Sequence, residues 1–536
     1  MKKLKLVCVA IAMAGAAPTF AGGLLTNTNQ HVAFNRMMSR EASIGIDGVY
    51  YNPAGVVFMG EGHHLAINWQ LAYQTRTINN DYKLFTNNVN NPITPRDFKG
   101  KAFAPVIPSF QYAYNKGKWS FQANFSLTGG GGKCTFDDGL GSFEKIVSET
   151  AIAACGLAGV VDQTLGNKLG QPGMEMFTSD QAFGKTGKYS FNSYMHGRQY
   201  YYGLSAGAAY KFCDNFSAFL GVRGVYALTN YYGYVENINV GNMPLYKVLD
   251  PTKENAANIE LSCDQTGVGF TPIIGVDYKT GRWNFSAKYE FKTRIRLKNK
   301  SVNQTPSIGN LPANLANQMT GILTDKFHNA GLPLEQAKQQ AENTTNAVLN
   351  DPTVGATMMG LKTQFDQKLN KAIGEYEDGK KIAGDIPGYL ALGIGYSPVD
   401  AVRVNVGFHW FDDKNATSYN NRNKELKRGT LEYNAGVEVD VNKKITLSTG
   451  WQNTNYGLSD EYMDDKSFVV GSNSAAIGGV YHINKKMDLN VAYFHTFYQH
   501  KKTSETVQLA ADKSIVYNSD YTRNNNVFAV GLDINF

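Results

Sequence analysis

The sequence predicts an all-β protein, a 14-stranded antiparallel transmembrane β-barrel with partly helical extracellular loops. Three observations lead there: segments that alternate apolar and polar residues with period two, strands too long for a soluble sheet, and six tight turns spread along the chain. The composition agrees. Tyr and Phe are numerous at 31 and 29, Gly reaches 54, and only 18% of residues are charged.

The first 21 residues read as a secretory signal: Lys2, Lys3 and Lys5, then the short apolar run "LVCVAIAMAGAA", then a small-residue cleavage site after Ala21. Cys8 lies within the apolar run rather than at its end, which argues against a lipoprotein signal. No later apolar run approaches the roughly 20 residues that a membrane helix needs. Residues 22–60 follow. "NQHVAFNRMMSREA" is weakly helical and amphipathic, and "SIGIDGVYYNPAG" is turn-rich, with Pro53 unable to donate a backbone hydrogen bond. This stretch is too polar for lipid and too short for a domain. By itself it fits a tail, a periplasmic arm or a plug.

Residues 61–536 carry the alternation. In "WNFSAKYEFKTRIRL", Trp283, Phe285, Ala287, Tyr289, Phe291, Ile295 and Leu297 fall on one face. Lys288, Glu290, Lys292, Arg294 and Arg296 fall on the other. In "VRVNVGFHW", Val402, Val404, Val406, Phe408 and Trp410 oppose Arg403, Asn405 and His409. A sandwich alternates in the same way, with its apolar face inward; a membrane barrel turns that face to lipid. Strand length separates the two. These strands run about 10 to 15 residues, beyond the usual 5–6 of soluble sheets and long enough for the 9–11 that a tilted membrane strand needs.

Tight turns fall at residues 115–118, 211–215, 279–282, 397–401, 442–444 and 484–486. Outer-membrane barrels keep short turns on the periplasmic side. With strand 1 rising from that side, the six turns join strands 2–3 through 12–13 and give 14 strands, the last ending at Phe536. A terminal Phe is what such barrels present to their assembly machinery. Two external connections are long, roughly residues 130–196 and 298–384. In the second, Leu315, Met319, Ile322, Leu323 and Phe327 share one helical face. That face suits a packed cap or a greasy landing site for a ligand.

The net charge of +7, about +4 without the three signal lysines, is weak and evenly spread and excludes nucleic acid as a partner. Cys134, Cys155, Cys213 and Cys263 match no zinc or haem spacing. Export permits disulfides. Cys134 and Cys155 both fall in the first long connection, around the helical stretch "SFEKIVSETAIAAC", and are expected to bridge. "GLSAG" around Ser205 has the letters of a nucleophile elbow but continues one strand face through it. His63, His64, His495 and His500 lack metal-ligand partners at useful spacing. No enzyme, metal site or cofactor is indicated. The inward charges Lys288, Lys292, Arg294 and Arg296 suit either a solvated lumen wall or a cradle for a ligand carboxylate.

Residues 22–55, "GGLLTNTNQHVAFNRMMSREASIGIDGVYYNPAG", resemble the N-terminus of the FadL-like outer-membrane transporters of long-chain fatty acids and other hydrophobic compounds. The resemblance implies that residues 22–60 form a lumen plug, or hatch, with its Asn-Pro-Ala motif on Asn52, Pro53 and Ala54. It implies passive uptake by a monomer in the outer membrane of a Gram-negative bacterium. Hydrophobic small molecules, outer-membrane lipid and, through Phe536, the barrel-assembly machinery would be the partners. "FSLTGGGGKCTF" places Gly129, Gly130, Gly131 and Gly132 where that family carries a strand-3 kink for sideways release. A diffusion porin and an adhesin are the rival readings.

Overall fold

The computed structural model describes residues 25–26, 29–306, 310–510 and 513–536. The expected signal, residues 1–21, lies outside the described residues. The first six wall strands are β1 (Gly62–Tyr82), β2 (Arg96–Lys116), β3 (Trp119–Phe136), β4 (Tyr189–Cys213), β5 (Phe216–Val240) and β6 (Ile259–Thr280). Two interrupted strands follow, β7 (Trp283–Glu290 and Arg296–Gln304) and β8 (Lys381–Ala383 and Tyr389–Val399). Then come β9 (Val402–Phe411), β10 (Arg428–Asn442), β11 (Ile445–Gly457) and β12 (Ser472–Asn484). The interrupted β13 (Met487–Tyr498 and Lys501–Ala510) and β14 (Lys513–Asn535) complete the wall. Each strand pairs antiparallel with its sequence neighbour, and β14 pairs with β1 from His64↔Asn535 to Tyr82↔Tyr517, so the 14-stranded barrel is closed. All six predicted turns are present, each leaving two residues between its strands.

The alternation is that of a membrane barrel. Leu204, Leu220, Phe270 and Ile477 face outward at 63–70% exposure, which a water-facing sheet does not tolerate as a continuous band. Asn68, Gln70, Gln111, Asn124 and Gln452 face inward and are buried. Several strands are longer than predicted: β4 and β5 reach 25 residues each. That is well beyond the 9–11 residues a tilted membrane strand needs, and α3 packs against both strands.

The N-terminal segment has two short helices, α1 (Val32–Met37) and α2 (Gly48–Tyr51). The external connections hold α3 (Gly141–Leu169), α4 (Tyr246–Leu249), α5 (Leu311–Asn329), α6 (Leu334–Leu349) and α7 (Pro352–Ile373). Among the described residues, α3 is the one helix long and apolar enough to cross a membrane by length and composition. No apolar run announces it, because Glu144, Lys145, Glu149 and Asp162 interrupt its sequence. It packs Val147, Ala158, Val161 and Leu165 into one cluster with Leu315, Met319 and Leu323 of α5 and Ala341 and Val348 of α6. Ile322, expected on the same apolar face, is 44% exposed instead.

Two expectations fail in the tertiary structure. The first is the face of β7. Ile273 pairs with Glu290, but Thr266 pairs with Lys298, so the register against β6 slips by one residue between the two pieces of β7. A one-residue slip exchanges the faces. Lys288 and Glu290 point inward and are buried, whereas Arg294, Arg296, Lys298 and Lys300 are exposed and Ile295 and Leu297 are buried. The second is the disulfide. Cys134 is not in a loop but in β3, opposite Ala102 and Gly197, buried beside Ile78 and Phe136. Cys155 sits in α3 and donates to the Phe183 carbonyl at 3.4 Å. Both are free thiols, as are Cys213 and Cys263.

Candidate functional site

The N-terminal segment is almost wholly buried from Gln30 to Val57. Its partners are inward side chains from around the wall. Val32 N donates to Asn68 of β1, and Asn35 donates to Gln70. Arg36 pairs with Glu438 of β10 and donates to Ser448 of β11 and Asn490 of β13. Arg40 bridges Glu438 at 2.9 Å and Asp47 at 2.7 Å. Glu41 meets His409 of β9 at 2.7 Å, and His409 meets Glu432 of β10 at 2.9 Å. Burial pushes the Asp47 and Glu41 carboxyls up, but Arg40 on the first and His409 on the second outweigh it and hold both below the ordinary carboxylate range.

Asn52, Pro53 and Ala54 are each tied to a different strand. Asn52 Nδ2 donates to Asp277 of β6 at 2.6 Å. The Pro53 carbonyl accepts from Gln122 of β3 at 2.7 Å, and the Ala54 carbonyl from Ser217 of β5 at 2.7 Å. Asn52 Oδ1 also accepts from Gly55 N at 3.2 Å. Gly55 meets a need for space: a Cβ there would collide with the Asn52 amide and come within 3.1 Å of Asp277.

The glycine run in β3 lies beside an opening in the sheet. Ser109 of β2 pairs with Ser126, and the next pair along is Ala102 with Cys134. Between them the β2–β3 ladder is absent, while β3 stays paired with β4 through two register shifts, between Leu127 and Gly129 and between Gly130 and Gly132. Gly130 and Gly132 have φ of 88° and 90°, a region other residues avoid, and a Cβ on Gly130 would strike the Gln199 carbonyl. The facing stretch of β2 contains Pro105 and Pro108, which lack the N–H that a ladder requires. Those prolines were a legible sign that a sequence reading centred on the glycines passes over.

Three adjoining cavities lie between the cap and this opening. The first, about 130 Å³, is apolar and lies among α3, α5 and α7, lined by Ala154, Leu157, Phe183, Leu315, Leu361 and Phe365. The second, about 490 Å³, lies beneath α3 and mixes Tyr234 and Tyr521 with Lys145, Asp464, Asp465 and Glu505. Burial raises the Asp465 carboxyl above its ordinary range. The third, about 220 Å³, lies in the lumen and reaches Val106, Ile107, Leu127, Gly130 and Gly132 at the opening. Ile146 and Ile259 line both the first and second, and Met195, Tyr231 and Lys466 line both the second and third.

The lumen cavity holds two residues that the sequence reading missed. Arg76 of β1 and Arg523 of β14 are direct cross-strand partners, both facing inward. Like charges so placed repel, and among the described residues no carboxylate forms an ion pair with either. Both donate to Gln74 Oε1, at 3.2 and 2.7 Å, and Arg523 lies 5.2 Å over the Tyr498 ring. Each stands in an alternating strand, so its inward direction was readable; its opposite number was not.

The residues expected to hold a carboxylate do other things. Lys288 bonds Glu290 at 2.9 Å and the Tyr50 carbonyl at 2.7 Å, so it anchors the N-terminal segment. Arg223 shares Glu290 through two hydrogen bonds. Lys292 donates to the Asn415 carbonyl at 3.0 Å. Arg296 pairs with Asp385 at 2.8 Å, and Arg294 is exposed. Ser205 is an ordinary strand residue that accepts from Arg223 at 3.1 Å. Among the described residues no group of three or more His, Cys, Asp or Glu side chains is placed to hold a metal.

No family model matches the chain, and no curated protein matches it by sequence. The fold does match. A crystal structure of a Pseudomonas aeruginosa FadL homologue aligns over 96% of this chain and 100% of its own, at 14% identity and a TM-score of 0.57. A mutant of the TodX monoaromatic hydrocarbon channel aligns over 94% and 98%, at 13% identity and a TM-score of 0.50. The Pseudomonas putida toluene transporter TodX aligns over 92% and 94%, at 12% identity and a TM-score of 0.49. The chain, a closed 14-stranded wall with an outward apolar band, aligns over nearly its whole length with the first of these and has the fold of that FadL homologue.

Proposed function

We propose that this protein is a passive outer-membrane channel for hydrophobic small molecules, with long-chain fatty acids as the class its lumen suits best. The observation that carries the reading is the series of three adjoining cavities from the apolar cap to the opening between β2 and β3. An apolar tail would enter among α3, α5 and α7, pass beneath α3, and reach the lumen cavity. There Arg76 and Arg523 would receive the carboxylate by charge-assisted hydrogen bonds, and the anion would relieve their mutual repulsion. Residues 22–60 act as the plug, with Asn52, Pro53 and Ala54 as its anchor to β3, β5 and β6. The opening at Gly129, Gly130, Gly131 and Gly132 is the sideways exit into the membrane.

A second reading, uptake of uncharged hydrocarbons, is favoured by the acidic lining of the middle cavity. One experiment separates the two. Cells carrying Arg76→Gln with Arg523→Gln are given labelled oleate and labelled toluene. Loss of oleate uptake with toluene retained supports the fatty-acid reading. Uptake of toluene but not of oleate by the intact protein assigns the channel to uncharged compounds, and undiminished oleate uptake by the variant removes Arg76 and Arg523 from the site. If neither compound enters through the intact protein, the transport reading fails.

A further inference from the structure

The outward face of the extracellular half of the wall carries a row of directly opposed residues that the transport route does not use. It runs Lys133 (β3), Arg198 (β4), Asn230 (β5), Asp264 (β6) and Lys300 (β7), each the cross-strand partner of the next. One step down the wall, Lys298 of β7 faces Lys381 of β8. Lys133 opposite Arg198, and Lys298 opposite Lys381, are like-charge pairs, which destabilise a sheet left to itself. Among the described residues none of these four cations forms an ion pair with a carboxylate. Asp264 is the one acid in the row, and it accepts from Asn230 at 2.8 Å. Arg198 Nε is buried without a hydrogen-bond partner. Below the row the outward face turns apolar and aromatic, through Tyr200 and Leu228 to Tyr202, Tyr226 and Val268. On the opposite wall a row across β10–β14, Tyr433, Asn453, Asn473, Phe497 and Asn524, carries no charge.

We propose that the cationic row on β3–β8 is a docking surface for phosphate-bearing glycolipid of the outer leaflet. Phosphates would sit between the paired cations, and the acyl chains would lie on the aromatic surface beneath. Cations beside an apolar band fit an amphiphile with an anionic head better than a soluble anion, and each Lys or Arg near such a surface strengthens the attraction. The row begins at Lys133, the last residue of β3 before its ladder to β2 resumes at Cys134, so a bound lipid would border the proposed exit. This inference rests on the outer-membrane reading, but its test does not require transport.

Purified barrel is equilibrated with detergent micelles containing diphosphorylated lipid A, or the same lipid stripped of its phosphates, and retained lipid is counted by native mass spectrometry. The intact protein is expected to retain the phosphorylated form about tenfold or more over the stripped form. Lys133→Gln with Arg198→Gln, Lys298→Gln and Lys381→Gln should abolish that preference. Lys133→Arg with Lys298→Arg and Lys381→Arg should keep it, as should Arg428→Gln on the opposite wall. Equal retention of both lipids by the intact protein, an undiminished preference in the neutralised variant, or loss in the charge-keeping variant would overturn the proposal. So would displacement of the glycolipid by millimolar inorganic phosphate alone. Should the fourfold variant not fold, the two double variants, Lys133/Arg198 and Lys298/Lys381 to Gln, are read in the same way.

Discussion

Residues 30–57 meet the barrel wall through buried ion pairs set among small apolar clusters, whereas the external helices meet one another in one large apolar cluster. Arg36, Arg40, Glu41 and Asp47 reach Glu438 and His409 across buried ion pairs. Leu315, Met319, Leu323 and Val348 fill the cap with hydrocarbon. The difference teaches what each body can exchange. When a polar segment shifts, water can replace its partners on the wall, so the wall stays satisfied. An apolar cap gains nothing from water, but an apolar ligand can take the place of one of its own side chains. The first chemistry suits a movable element in a wet lumen, and the second suits capture of hydrophobic cargo.

The sharpest way to break this comparison is at Glu438. In Glu438→Ala, Arg36 and Arg40 lose their shared buried carboxylate, and removing one partner of a buried pair costs about 3–5 kcal/mol. The barrel should still migrate as a heat-modifiable band. Residues 30–57 should become protease-sensitive, and planar-bilayer conductance should rise. A segment that stays protected would show that charge does not hold it.

A smaller effect is expected at the cap. Met319 is fully buried in α5, and truncating such a side chain costs about 2–5 kcal/mol. Met319→Ala should increase proteolysis within residues 311–373 and leave the N-terminal segment protected and the conductance unchanged. Loosening of both bodies together would join what the comparison separates.

The smallest effect is gradual and comes from pH. The folded-state pKa values of Glu41 and Asp47 are depressed. Their contribution to holding the segment is therefore complete above the ordinary carboxylate values, about 4. It is lost as the pH falls through the lower folded values. Conductance should be flat from neutrality to about pH 5 and should rise below about pH 4, with cap proteolysis following a different curve. Identical pH profiles for the two bodies would remove the distinction.

Much of the barrel was legible in advance. The six turns needed only local turn chemistry, and the number of strands followed from them. The glycine run in β3 marked the place where the sheet opens. The arginine pair proposed to receive a carboxylate was not legible. Arg294 and Arg296 were expected inward because strict alternation was carried through "EFKTRIRL", where the chain in fact breaks and slips by one residue. Arg76 and Arg523 are 447 positions apart in the sequence. They meet only because the last strand closes on the first.

By itself, then, the sequence determined the elements: period-two strands, two-residue turns, apolar faces of helices and the turn-rich stretch at Asn52, Pro53 and Ala54. Each of these is set by neighbours within a few residues. Only the tertiary structure decided register, and with it which face a residue occupies beyond a break and which side chain stands opposite. It kept Cys134 in a strand away from Cys155, turned half of the β7 cations outward, and brought the Arg76–Arg523 pair into the lumen. The physical reason is that a strand's alternation is a local property of the backbone, whereas register is set by hydrogen bonds to other strands, and a slip of one residue reverses every side chain beyond it.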